Sequence, residues 1–169
     1  MRGQRRAGIS TQSEMLSLRR PQSPVHAPRV SCETRPIMLA TLEVPFDAEA
    51  AAFAVDAAVE TGQPLIVTNV VELLLAPCSL ALRIDRPESP EDTEALRAPA
   101  VLAHSLGVRV ERLRVRSPHP VDALLEVVAE RNPGLLVFGP NRSVLKPRLY
   151  RKAARKIRDR APCLVWLSE

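Results

Sequence analysis

Aromatic residues are nearly missing from this chain: of 169 residues, three are Phe, one is Tyr and one is Trp. A surface that grips nucleic acid by stacking bases on rings needs several of them together. The basic stretch near the C-terminus has only Tyr150. Lysine is scarce too, with three against 21 arginines, a bias that reflects GC-rich coding more than chemistry. The three cysteines (Cys32, Cys78 and Cys163) are odd in number and far apart, so they outline neither a disulfide framework nor a metal-ligand spacing. A reducing, cytoplasmic setting is the expectation, with Cys163 a small core residue. No run approaches the ~20 apolar residues that a membrane-crossing helix requires, so no membrane partner is expected. His26, His104 and His119 have no Ser or Cys nucleophile and acid at a triad-like spacing. Glu126 and Glu130 share a helix face, as surface glutamates commonly do. These absences leave no catalytic residue to nominate, and the chain reads as a non-enzyme.

What is present is an apolar content of 46%, mostly Ala, Leu and Val, in a length that suits one domain with its own core. Charge is divided unevenly along it. Residues 1–36 carry seven arginines against Glu14 and Glu33, and residues 37–141 carry eight arginines against fifteen acids. Residues 142–160 then carry nine cations against Asp159 alone. An acidic body thus bears positive charge at two places.

The first place, 1–36, mixes Arg with Pro, Ser and Gln and keeps neither helical nor strand period, so it reads as a disordered basic extension. The same composition suits a mitochondrial-type transit segment, or a chain whose start is Met15. The apolar core of a secretory signal is missing.

From Ile37 the pattern alternates strand and helix. Ile37–Leu42 is an apolar run suited to a strand buried on both faces. Asp47 is placed to cap a helix that Gly62 stops, with Phe53, Ala57 and Val59 near its inner face. Residues 64–71 form a second strand, and the stretch with Pro77, Pro87 and Pro90 reads as a long loop. A helix over 91–106 follows, in which Pro99 predicts a kink or a delayed start. Residues 108–115 read as a strand whose Arg109, Glu111, Arg112 and Arg114 suit a sheet edge. A helix opened by Pro120 buries Leu124, Leu125 and Val128, and Asn132-Pro133-Gly134 ends it. The chain closes with the strand GLLVFG (134–139), the basic helix within 142–160 and the strand Cys163–Leu167. This order calls for a parallel α/β sheet with right-handed crossovers.

On these residues the chain from Ile37 to Leu167 resembles the universal stress protein family. The opening strand IMLATL, the strand LIVTNVV, Gly107 before the third strand, the proline-opened helix, GLLVFG and the closing APCLVWL all carry the likeness. It implies a five-stranded, doubly wound parallel sheet of the adenine nucleotide alpha hydrolase-like type over 37–169, and a role in stress response. It also implies dimers formed through the last strand, here around Trp166. Nucleotide-binding members carry an aspartate after strand one, then Gly, two residues, Gly, nine residues, and Gly with Ser or Thr. Here Gly139 matches the first glycine, Arg142 stands at the second, and Arg151-Lys152 or Lys152-Ala153 fall at the last pair. Leu42, followed by Glu43, occupies the aspartate position.

A glycine ending a strand before a helix is where α/β folds bind phosphate through backbone N–H groups and the helix dipole. Arg142 in place of glycine meets a left-handed penalty of about 1 kcal/mol or more, unless the loop changes shape. Pro140 removes a donor. Family-type ATP binding is therefore disfavoured and no cofactor is expected, with ATP kept as the alternative. The degenerate site consists of Gly139, Asn141, Arg142, Ser143, Arg151 and Lys152. Two readings of the basic helix stay open. In one, Leu145, Leu149, Ala153 and Ile157 form the buried stripe and the cations are a solvated face. In the other, Arg142, Ser143, Lys146, Arg148, Arg151 and Lys152 hold an anion, an altered nucleotide or, less readily, a nucleic acid through side chains.

Overall fold

In a computed structural model, residues 35–73 and 90–168 are described. The disorder assigned to 1–36 falls almost wholly outside these residues, as does the loop with Pro77 and Pro87. The strands are β1 (Ile37–Leu42), β2 (Leu65–Glu72), β3 (Val110–Ser117), β4 (Leu135–Phe138) and β5 (Leu164–Leu167). The helices are α1 (Ala48–Thr61), α2 (Pro90–Ser105), α3 (Pro120–Arg131) and α4 (Pro147–Arg160). The strands form one parallel sheet in the order β3-β2-β1-β4-β5. The expected five-stranded, doubly wound α/β architecture is what the chain adopts.

The centre of the sheet follows from residue type. β1 is buried at all six positions, and it pairs with β2 on one side and β4 on the other. Its alternate residues feed two cores: Ile37 and Leu39 meet α1 and α2, while Met38, Ala40 and Leu42 meet α3 and α4. At β3 the charged residues Glu111, Arg112, Arg114 and Arg116 are exposed and the strand is an edge, as its charge pattern predicted. The strand lies two residues later than the sequence placed it; Val108 is buried just before it.

Local chemistry sets the helix ends. The Asp47 carboxylate accepts from the N–H groups of Glu49 and Ala50, both at 3.1 Å, satisfying donors that the first turn leaves free. Gly62 closes α1 at φ 65°. The inner face of α1 corrects the sequence reading: Ala50, Ala54, Val55 and Ala58 are buried, whereas Phe53 and Val59 are exposed. Three alanines with Val55 draw this helix close to the sheet, while Phe53 and Val59 lie outside that face. α2 begins at Pro90 and continues through Pro99, so Pro99 does not delay its start.

The α4 stripe is also corrected. Tyr150, Ala153, Ala154 and Ile157 are buried, Leu145 is half-buried and Leu149 is exposed. A strict four-residue repeat drifts by about 40° per step on a helix of 3.6 residues per turn, so it cannot stay on one face. The observed spacing of three and four does. Tyr150 stacks on Phe138, ring centres 5.9 Å apart, and its hydroxyl donates to the Ser168 carbonyl.

One carboxylate ties α3 to α4. Asp122 accepts from Lys156 at 2.6 Å and from Arg160 at 3.2 Å. The Lys156 hydrogen bond, opposed by desolvation and helped by the charges of Lys156 and Arg160, holds the Asp122 carboxyl below its usual range. A carboxylate with a lowered folded pKa adds stability above its unfolded pKa, and that stability is lost as pH falls through the folded value. Thermal melts of Asp122→Asn and the parent should therefore differ at neutral pH and converge as pH drops below about 4. A difference that persists unchanged at low pH would contradict this role.

Candidate functional site

In an open α/β sheet, ligands bind beyond the carboxyl ends of the strands where the winding reverses. Here β1 and β4 flank that point. The walls of the crevice are the β1–α1 loop (43–47) and the β4–α4 loop (139–146), and these two loops are bonded to each other. Asp47 N–H donates to the Gly139 carbonyl at 2.9 Å, and Asn141 N–H donates to the Pro45 carbonyl at 2.8 Å. Phe46 and Pro140 form an antiparallel bridge between them.

The backbone donors of the loop are consequently in use. Gly139 N–H donates to Ala40, and the Ser143 N–H and hydroxyl both donate to the Asn141 side-chain oxygen. Val144 and Leu145 donate to the Asn141 carbonyl. Pro140 has no N–H, which leaves the Arg142 amide as the one from 139 to 145 without an intramolecular acceptor among the described residues. Arg142 is not in the left-handed region, so the expected backbone penalty does not arise.

Gly139 is needed for a reason the sequence did not reveal. Its φ is not left-handed; a Cβ there would lie 2.1 Å from the Cβ of Ala50. The glycine admits the close approach of α1. Leu42 is buried on the α3–α4 side. Glu43, exposed beside it, takes φ 54°, a conformation that costs a non-glycine residue about 1 kcal/mol or more. Its N–H donates to the Asn69 side chain at 3.1 Å, which holds the turn.

The proposed site residues do not form one pocket. Asn141, Arg142 and Ser143 share the loop, Gly139 is buried beneath it, and Arg151 and Lys152 lie exposed on α4. Arg142 and Arg151 are brought together in a groove of about 1050 Å³ beside β5; Lys152 is not part of it. The guanidinium of Arg142 sits 5.1 Å from the Tyr150 ring centre, a cation–π contact that fixes its position. Arg155 and Arg158 also line the groove, with Glu49 and Asp159 as its acids and Trp166 in its wall. These two arginines were missed as a pair with Arg151, although the spacing 151, 155, 158 puts all three on one helical face. Trp166 is half-buried and stacks on Phe53 at 5.1 Å.

Elsewhere, His104 and His119 are exposed, and His119 precedes α3 without a capping hydrogen bond from its ring. Among the described residues no group of three or more His, Cys, Asp or Glu is placed to hold a metal. Cys163 is half-buried against the core, and burial pushes its thiol up, away from the thiolate that nucleophilic chemistry uses. No helix among the described residues is long and apolar enough to cross a membrane.

Known structures share this fold at low identity. A protein from the universal stress protein family of Burkholderia pseudomallei matches with a TM-score of 0.57 and 17% identity, covering 80% of this chain and 97% of its own. A universal stress protein in complex with cAMP matches at 0.54 and 20%, covering 80% and 98%. The universal stress protein from Archaeoglobus fulgidus in complex with dAMP matches at 0.51 and 21%, again covering 80% and 98%. A comparison with proteins of curated function found no match. The sequence model of the Universal stress protein family matches residues 33–168, which include every described residue. The chain therefore belongs to the universal stress protein family.

Proposed function

We propose that this protein is a non-enzymatic, cytoplasmic regulator in stress response, that it works as a homodimer through β5 around Trp166, and that it does not bind ATP in the family manner. The closed crevice carries the reading. Two solved relatives hold cAMP and dAMP. In this chain the loops that would cradle such a phosphate bond to each other, and the amides between Gly139 and Leu145 are consumed apart from that of Arg142. A phosphate would have to break several of those hydrogen bonds to gain its own, so the net gain is small.

The dimer reading rests on the other end of the sheet. β5 is an edge with Leu164 74% exposed and Trp166 half-buried, and an apolar edge invites strand pairing. A second reading, an anion or nucleic-acid contact along α4, draws on one observation. Arg148, Arg151, Lys152 and Arg158 are exposed and form no ion pair or side-chain hydrogen bond with any described residue, whereas Lys156 and Arg160 are neutralised by Asp122.

Calorimetric titration with ATP tests the main reading. The expected result is no adenine-dependent binding, with ATP giving no more heat than tripolyphosphate at the same micromolar concentration. Micromolar affinity for ATP well beyond that for tripolyphosphate, and lost in Arg142→Glu, would overturn the degenerate site.

A further inference from the structure

The groove beside β5 has a charge imbalance that matters only if two copies meet there. Its wall includes Val165, Trp166, Leu167 and Ser168, so it borders the strand edge itself. Arg142, Arg151, Arg155 and Arg158 face it, against Glu49 and Asp159. The Arg155–Asp159 contact is long, at 3.8 Å, and both side chains are largely exposed, so it offsets little. A two-fold interface uses the same patch from each partner. Pairing at β5 therefore brings two such grooves together and doubles an excess of positive charge. Like charges facing each other across an interface oppose association.

We infer that this groove is a binding site for a multivalent phosphate chain, and that occupying it permits pairing at β5. The inference rests on the β5 dimer proposed above and adds its regulation. Arg151, Arg155 and Arg158 span about 10 Å along α4 at 1.5 Å per residue, with one guanidinium per helical turn or less. Linked phosphates can engage several of them in succession, whereas a single orthophosphate cannot. Arginine is suited to this, since its planar fork grips phosphate oxygens two at a time. Arg142, held over Tyr150, adds a fixed cation at the mouth. Because the anion neutralises charge from both copies, binding and dimerisation strengthen each other by the same factor.

Sedimentation velocity on the full chain at low salt, with tripolyphosphate as the probe, tests this. The dimer dissociation constant should fall roughly 5–150-fold when tripolyphosphate is added, the usual range for coupled sites. Sodium chloride at matched ionic strength should reproduce only a minor part of that change. The double variant Arg155→Glu, Arg158→Glu, altered at exposed positions, should dimerise without the anion and no longer respond to it. A dimer indifferent to tripolyphosphate overturns the inference and leaves the β5 interface standing. A monomer under every condition, the double variant included, overturns the interface and the inference with it. Promotion by single-stranded DNA and not by tripolyphosphate also overturns it, in favour of a nucleic-acid ligand.

Discussion

Replacing Ile157 by alanine should destabilise the protein by about 2–5 kcal/mol, while Leu149→Ala should change stability by less than about 0.5 kcal/mol. Both residues are on α4 and both are large and aliphatic. Ile157 is fully buried in the core shared with α3, whereas Leu149 is 51% exposed. Deleting buried methyl groups removes their transfer free energy and leaves a cavity; deleting exposed ones does neither. Denaturant unfolding of the two variants measures both values in one experiment. Equal losses would restore the four-residue stripe that the structure replaces.

Gly139→Ala is expected to destabilise by about 1–3 kcal/mol, an overpacking effect. The added Cβ would sit 2.1 Å from that of Ala50, and neither the strand end nor α1 has a flexible side chain there to yield. The double variant Gly139→Ala, Ala50→Gly removes the clash, so it should recover most of the loss apart from the roughly 1 kcal/mol that glycine costs in a helix. Additive losses in that cycle would show that Gly139 serves some purpose other than admitting α1. Since the backbone at Gly139 is not left-handed, no part of the effect should come from φ.

Local signals were legible wherever one residue type had one physical use. IMLATL reads as a central strand because it is apolar at nearly every position, and it is buried on both faces. Asp47 and Gly62 mark the ends of α1 through a carboxylate acceptor and a left-handed turn. Arg and Glu along β3 mark an edge. The inner face of α1 was not legible: alanine is apolar enough for a core and small enough for a surface, so it gives no contrast. The aromatic Phe53 stood out but lies on the outside, against Trp166. The site was less legible than the fold. That Asn141 bonds to Pro45 and Phe46 bridges to Pro140 depends on two loops nearly a hundred residues apart in sequence. Departures from the glycine signature were visible, but not the closed loop they accompany. Arg155 and Arg158 join Arg142 only because β5 and α4 flank the same groove.

The two edges of the sheet are unlike, and that limits how many copies can assemble. β3 exposes Glu111, Arg112, Arg114 and Arg116, charges that make a poor template for an added strand, whereas β5 exposes Leu164. Growth of a strand-on-strand filament needs both edges to be receptive, since each new copy must join at one and offer the other. A sheet receptive at one edge alone uses up that edge in the first pairing. Association by strand addition at β5, as proposed, would therefore close at two copies, with the charged edge keeping it from running on.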